Sequence, residues 1–240
     1  MKNGPKILIA LPVYNEEQEL EKNVLKIKDF IEPLGETNFQ IIIVDNASTD
    51  KTREIGKNLG QKYPRISFLR LEEKGRGLAL KKAWASYKAD YYCYMDIDLS
   101  TNLGHLPAII KAIENGFDIA LGSRLLPKSR VSGRTLKREI LSRGYNLIIK
   151  LLFQISFSDA QCGFKAVNRR VVSELLPKII DNEWFFDSEL LIIGEKSGYK
   201  IYEEPVIWTD NPGSTVRVLK TVSGDLRGLL RLFFSRPWRK

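Results

Sequence analysis

Five short apolar runs punctuate the first half of the chain: Ile7–Leu11, Gln40–Val44, Ile66–Leu71, Tyr91–Met95 and Phe117–Leu121. Each has the length and β-branched or aromatic character of a strand. Between the first two, Leu20, Val24, Ile27 and Ile31 recur at helical spacing. Asn15 precedes that helix with Gln18 three residues on, a pattern similar to a capping box. Leu78–Ala89 and Leu106–Ile113 predict two further helices, each leading into a strand. Strands alternating with helices imply right-handed βαβ units on a mostly parallel, Rossmann-like α/β sheet. No internal repeat or low-complexity linker interrupts the pattern.

In such sheets ligands bind beyond the carboxyl ends of the strands. Three polar clusters fall there: Pro12-Val13-Tyr14-Asn15-Glu16-Glu17, Asp45-Asn46-Ala47-Ser48-Thr49-Asp50 and Asp96-Ile97-Asp98. Residues i and i+2 of an extended chain point the same way, so Asp96 and Asp98 can share one hard cation, Mg²⁺ or Mn²⁺. The alternative is an acidic turn with a helix cap at Ser100 or Thr101. Asp45 ends a strand where its carboxylate can accept the ring N–H of a uracil, and Asp50 caps or supports the next helix. Lys74-Gly75-Arg76-Gly77 precedes a helix; it is either a phosphate-meeting turn, with glycines that allow close backbone approach, or a plain loop.

Charge sharpens this picture. The chain of 240 residues carries a net charge of +9, with 43% hydrophobic and 28% charged residues. Residues 124–150 hold a net +7 and residues 219–240 a net +5, which leaves the remainder at −3. Such confined cation excess suits a surface facing anions. A nucleic-acid binder explains the basic stretches but not three acidic clusters. Cys93 and Cys162 are too few for a disulfide framework, and Cys93 reads as a buried thiol. His105 is the only histidine, which excludes histidine-based triads and multi-histidine metal sites; it is expected to be exposed near a helix start. No apolar run reaches the roughly 20 residues of a spanning helix, so a cytoplasmic location is expected.

The Pro-Val-Tyr-Asn-Glu-Glu start, Val44–Asp50, the Asp-x-Asp pair and Gly122-Ser123-Arg124 resemble glycosyltransferase family 2, which has the GT-A fold. Asp159–Lys165 and Trp184–Leu190 look like the dolichyl-phosphate glucose synthase branch; relatives that make dolichyl-phosphate mannose tend to carry Ser-Gly-Phe-Arg where this chain has Cys162–Lys165. The resemblance spans residues 6–218. It implies donor binding by Pro12, Tyr14, Asn15, Glu16, Asp45, Lys74, Gly75 and Asp96, with Asp96 and Asp98 holding the metal. It implies that Arg124 meets phosphate, that Gln161, Lys165 and Glu189 line the sugar or acceptor pocket, and that Asp98, Asp187 and Arg124 carry the chemistry. Asp187 has an alternative role in orienting an Arg or Lys. The chain departs from the family pattern at Ile97 and Asn46, and in showing no spanning anchor.

The resulting expectation is a metal-dependent, inverting transfer of a hexose, with glucose from UDP-glucose as the expected donor, to a polyprenyl phosphate at the cytoplasmic face of a membrane. A soluble or glycan acceptor and a catalytically silent membrane-recruiting subunit are the alternatives. Within residues 130–157, the apolar stretch Leu147–Phe157 adjoins the basic run and suits a helix lying in an anionic membrane interface; a buried core helix is the alternative. In residues 219–240, Leu226, Leu229, Leu230, Phe233 and Phe234 form a stripe opposite Arg227 and Arg231. That stripe can meet the membrane, the protein's own core or a dimer partner; a separate membrane-spanning protein is a further candidate partner.

Overall fold

The structure is a computed structural model that describes residues 4–34, 38–210 and 218–239, without the side chains of 218–221. Lys220 and Lys240 of the C-terminal basic stretch therefore lie outside the described side chains. A seven-stranded sheet runs in the order β3-β2-β1-β4-β7-β5-β8. Its strands are β1 (Lys6–Val13), β2 (Asn38–Asn46), β3 (Ile66–Leu71), β4 (Tyr91–Met95), β5 (Ile119–Ser123), β7 (Phe164–Asn168) and β8 (Ile201–Pro205). All pairings are parallel except those of β7, which runs antiparallel between β4 and β5. A two-stranded ribbon of β6 (Arg130–Ser132) and β9 (Ile207–Thr209) adjoins the sheet.

The apolar runs are continuous because helices cover both sheet faces. Ile7, Ile9 and Leu11 of β1 enter one core with α1 (Leu20–Ile31) and α4 (Leu106–Glu114). Leu8 and Ala10 enter the other with α3 (Arg76–Ser86), α5 (Leu136–Phe153), α6 (Phe186–Lys196) and α7 (Val218–Ser235). The remaining helix, α2 (Thr52–Lys62), packs beside β3.

The parallel α/β expectation and four of the five strands hold closely. The fifth, β5, begins two residues later than expected, at Ile119, which brings Ser123 to its end. The capping box does not form. The first helix begins at Leu20, and Asn15 instead takes a left-handed conformation with its side chain turned to the neighbouring loop. His105 does stand beside a helix start, but it is part-buried, with its Nε2 accepting from the Ile207 N–H at 3.0 Å. Cys93 and Cys162 are both buried free thiols.

The expected Leu147–Phe157 helix proves to be the last third of α5, which ends in a left-handed Gln154. Ser142, Asn146, Ile149 and Phe153 of α5 are buried and Tyr145 packs against the same core, while Leu136, Ile140, Leu147 and Leu151 are exposed. Similarly, the expected α7 stripe divides. Leu229 and Leu232 are buried with Asp225, whereas Val222, Leu226, Leu230 and Phe234, each four residues apart, form an exposed apolar row. Among the described residues no helix is long and apolar enough to cross a membrane.

Candidate active site

The turns after β1, β2 and β4 meet at one end of the sheet. The first two are stitched together: Asn15 N–H donates to Ser48 Oγ at 2.9 Å, Thr49 N–H donates to Asn15 Oδ1 at 2.8 Å, and Glu16 N–H donates to Thr52 Oγ1 at 2.8 Å. Asp50 supports α2 as expected by accepting from Thr52 N–H at 3.0 Å. Asn15, Ala47 and Leu99, one residue from each turn, adopt positive φ angles of 55°, 60° and 52°. Left-handed backbone costs a non-glycine residue roughly 1–2 kcal/mol, and it persists where surrounding contacts over-determine it.

Pro12 lies on β1 beyond its last pairing with β4 at Ala10, so its missing N–H costs that ladder nothing. Tyr14 carries the Lys74 ammonium 3.2 Å from its ring centre, joining the first turn to the loop before α3. Asp45, in register with Arg70 on β3, is fully buried; it pairs with that guanidinium and accepts from Ser48 N–H at 2.9 Å. The carboxylate expected at a base thus faces inward here and braces the turn.

The loop before α3 differs from a phosphate cradle. Leu78 N–H donates to Asn182 O at 3.0 Å and Gly77 N–H to Glu183 O at 3.2 Å, so α3's first amides are already engaged. A Cβ on Gly75 would lie 2.6 Å from Asn182 O, and one on Gly77 would lie 2.7 Å from Phe186 Cβ. The close approach these glycines permit is to the chain before α6. Gly75 N–H also donates to Asn46 Oδ1 at 2.6 Å, which gives Asn46 a role in this chain.

Asp96 and Asp98 leave the end of β4 in a turn closed by Leu99 N–H to Asp96 O at 3.3 Å, not in extended chain. Both nevertheless line one hollow with Thr101, Gly163 and Trp208. Asp98 accepts from Ser100 N–H and Oγ at 3.0 and 2.8 Å, so the acidic-turn alternative is also realised. Burial, and then the Asp96 charge, push the Asp98 carboxyl above its ordinary range. Glu16 faces the same pair: burial first, then Asp98 and Asp50, push it up to about 7. Carboxylates gathered this closely, with Glu16 and Asp98 both raised by acidic neighbours, make a place that favours added positive charge. Among the described residues no three acidic, His or Cys side chains converge as a complete metal cage. Two carboxylates completed by diphosphate oxygens and water is the arrangement Mg²⁺ ordinarily takes, so the donor set fits a divalent cation.

Behind the acid pair, Arg76 bridges Asp96 at 2.7 Å and Asp187 at 2.6 Å while almost wholly buried. Asp187 also accepts from Tyr94 Oη and, at 2.9 Å, from Lys165 Nζ. The register of β4 against β7 sets Tyr94 opposite Lys165. Lys165 has no exposed surface, and burial lowers its pKa to about 7; burial likewise raises Asp187 to about 6, against the Arg76 charge. Lys165 therefore lies behind the open site, holding Asp187, which in turn accepts from Arg76.

Across the hollow, the Arg124 guanidinium donates to both Asp159 oxygens, at 2.7 and 2.9 Å, and stacks 4.9 Å over Trp208. Burial would raise Asp159, but Arg124 holds it at about 2. Arg134 stands near enough to Arg124 that burial and then the Arg124 charge lower its pKa. Arg138 donates to Asp210 at 2.7 Å.

Glu189 is buried away from this space, accepting from Asp181 N–H and Arg231, each at 2.8 Å. It ties α7 to α6. Gln161 donates from Nε2 to Asp225 Oδ2 at 3.0 Å. Sequence reasoning assigned no role to Asp225, although an acid at the spacing of Leu229 and Leu232 within a basic stretch marks a residue on the inward face. Burial, then Asp181 and Asp187, raise it to about 7. The unfolded chain sheds this proton near pH 4 and the folded chain near 7, so stability falls as pH rises between those values. In Asp225→Asn that loss is expected to diminish and stability at pH 8 to increase, as read by thermal melting across pH.

Comparisons with known proteins agree with this architecture. The model of the family described as glycosyl transferase family 2 matches residues 8–176. Glycosyltransferase AglD of Haloferax volcanii is 32% identical over 96% of this chain and 37% of its own length. A dolichol-phosphate mannosyltransferase of Pyrococcus furiosus is 31% identical over 95% of the chain and 63% of its own. A dolichyl-phosphate beta-glucosyltransferase of Dictyostelium discoideum is 28% identical over 94% and 73%. The chain thus spans about a third to two thirds of the first two relatives. Among solved structures, glucosyl-3-phosphoglycerate synthase from Mycobacterium tuberculosis, in complex with Mn²⁺, UDP and phosphoglyceric acid, aligns with a TM-score of 0.69 at 18% identity, covering 98% of this chain and 80% of that one. That likeness shows the fold.

Proposed function

From the premise that this chain belongs to glycosyl transferase family 2, we propose that it moves a hexose from a nucleoside diphosphate to a polyprenyl phosphate. Glucose from UDP-glucose is the donor we infer, from the Gln161–Lys165 segment. The observation that carries the proposal is the opposition of the Asp96–Asp98 pair to the arginines of the β5–α5 connection. Asp96 is among the charges that act on Arg124, and Asp210, the partner of Arg138, is among those that act on Asp98. Acids that favour a cation and cations that favour a phosphate share one space.

Asp96 and Asp98 would hold Mg²⁺ or Mn²⁺, whose bound charge stabilises the departing diphosphate. Arg76 fixes Asp96, Asp187 fixes Arg76, and Lys165 and Tyr94 fix Asp187. Arg124, clamped by Asp159, and the neighbouring Arg134 would orient the acceptor phosphate. A phosphomonoester with a second pKa of about 6 is largely ionised at pH 7, so its oxygen attacks the anomeric carbon without a general base. The new phosphate–carbon bond forms as the bond to the nucleoside diphosphate breaks, its electron pair passing to the diphosphate oxygen, with inversion at that carbon. This leaves Asp187 free for its orienting role.

The exposed apolar rows of α5 and α7, next to Lys137, Arg143, Lys150 and Arg227, supply the face on which a lipid acceptor would be reached, by peripheral contact with an anionic membrane or with a spanning partner. A soluble acceptor leaves these rows unexplained.

Incubation with labelled nucleotide sugars and polyprenyl phosphate, followed by organic extraction, tests the reading. Label from UDP-glucose is expected in the organic phase; label only in soluble products would overturn the lipid acceptor, and preference for GDP-mannose the sugar. A second measurement probes the acid pair through its backbone neighbour. A Cβ on Gly163 would overlap the Asp96 carboxylate. Gly163→Ala is expected to lower turnover about a hundredfold, the scale of an ångström-sized misplacement, and stability by about 1–3 kcal/mol.

A further inference from the structure

We propose that a second, cationic cleft at the far ends of α5, α6 and α7 binds the phosphate headgroup of an anionic phospholipid. The inference rests on α5 and α7 forming the membrane face, and adds to that face a discrete site. The cleft encloses about 270 Å³ and is lined by Lys196, Arg236 and Arg239 together with Leu152, Phe233 and Trp238. Among the described residues no carboxylate lines it.

Three helix ends converge here, and cations at helix carboxyl ends have an ordinary use in meeting the terminal carbonyls. Arg236 serves that use, donating from Nε to Phe233 O at 3.1 Å. Lys196 and Arg239 form no ion pair among the described residues, so two cations stand over a cleft of matching sign with nothing to neutralise them. Their mutual repulsion is relieved by an anion. The aromatic wall is fixed in place, with Trp238 and Phe233 each edge-on to Phe153 at 6.0 and 6.5 Å.

The surroundings select a lipid over a free anion. Leu151 is 72% exposed and Phe234 78%, and both adjoin residues that line the cleft. An apolar rim, a tryptophan and long cationic side chains match the depth profile of a membrane interface, where acyl chains, headgroup boundary and phosphate follow in order.

Flotation with phosphatidylcholine vesicles containing increasing phosphatidylglycerol tests the site. The variant Lys196→Ser/Arg236→Ser/Arg239→Ser is expected to lose at least tenfold in affinity for phosphatidylglycerol vesicles, and Arg239→Ser alone, at an exposed unpaired position, about threefold. The charge-matched control Arg53→Ser/Lys57→Ser/Lys62→Ser on α2 should lose less than twofold. Equal loss in control and cleft variants would mean diffuse attraction and overturn the site, as would unchanged binding by both cleft variants. Displacement from vesicles by millimolar inorganic phosphate or glycerol 3-phosphate would make the ligand a free anion and overturn the lipid assignment. A Leu151→Ser/Leu230→Ser variant separates the two readings. If it binds vesicles like wild type while the cleft variants do not, the apolar face fails and the cleft stands.

Discussion

Asp98→Asn is expected to cut turnover by about a hundred- to a thousandfold while leaving thermal stability unchanged or raised. The range is that of losing one fixed electrostatic partner to the charge that develops during reaction. The stability half follows from the site's own charges. Asp98 is ionised at a cost, because burial, Asp96 and Asp210 all disfavour its negative form. Asn keeps an oxygen for the Ser100 N–H while removing that repulsion. Function and stability thus move in opposite directions, as they do where a site is organised for a ligand and not for the fold. Steady-state kinetics beside differential scanning calorimetry in chelator decides the matter. Retained turnover would remove Asp98 from the mechanism, and a large loss of stability would make it structural.

The second large effect falls on the guanidinium behind the acid pair. Arg76→Met is expected to destabilise the fold by about 3–5 kcal/mol, because it strands Asp96 and buried Asp187 without their shared partner. Arg76→Lys should recover only part of this, since an ammonium cannot present two planar donors to carboxylates on different elements, Asp96 in the turn after β4 and Asp187 on α6. Adding Asp187→Asn to Arg76→Met should restore stability beyond the sum of the single changes, and turnover should stay low because Asp96 remains unanchored. Urea titrations of the four proteins measure the coupling. Additive losses would mean that Arg76 and Asp187 act independently.

How legible this was in the sequence depended on whether the physics is local. Strands β1 to β4 and helices α1, α3 and α4 are written in runs and periodicities of a few residues, and they emerged within a few residues of their observed ends. The rim clusters were legible because an α/β sheet fixes where its strand ends point. What stayed hidden is set by contacts between distant segments. Phe164–Asn168 is a five-residue segment with a lysine inside it and no apolar run, so nothing local marks it as the antiparallel strand that seats Lys165 against Tyr94. Asn15 carries a plausible cap pattern, yet Thr49, 34 residues away, claims its side chain. Lys165 and Glu189 look like pocket residues by motif, and only the packing of β7, α6 and α7 shows both turned inward.

The position of β7 also orders how the molecule must assemble. β4 and β5 flank it without touching each other, although both precede it in the chain. Until residue 168 is available, a growing or refolding polypeptide carries two unpaired strand edges and a gap between them. The first four strands can collapse as a conventional βαβ unit, but the sheet closes only when a later segment threads into a slot already bounded on both sides. Long-range pairing of that kind slows folding, and open edges invite pairing with other chains. A chain stopped before Phe164 would display those edges permanently and be prone to aggregate. Lys165 meets Tyr94, and Gly163 meets Asp96, in that same late event, so the backing of the acid pair and the closed sheet arise together.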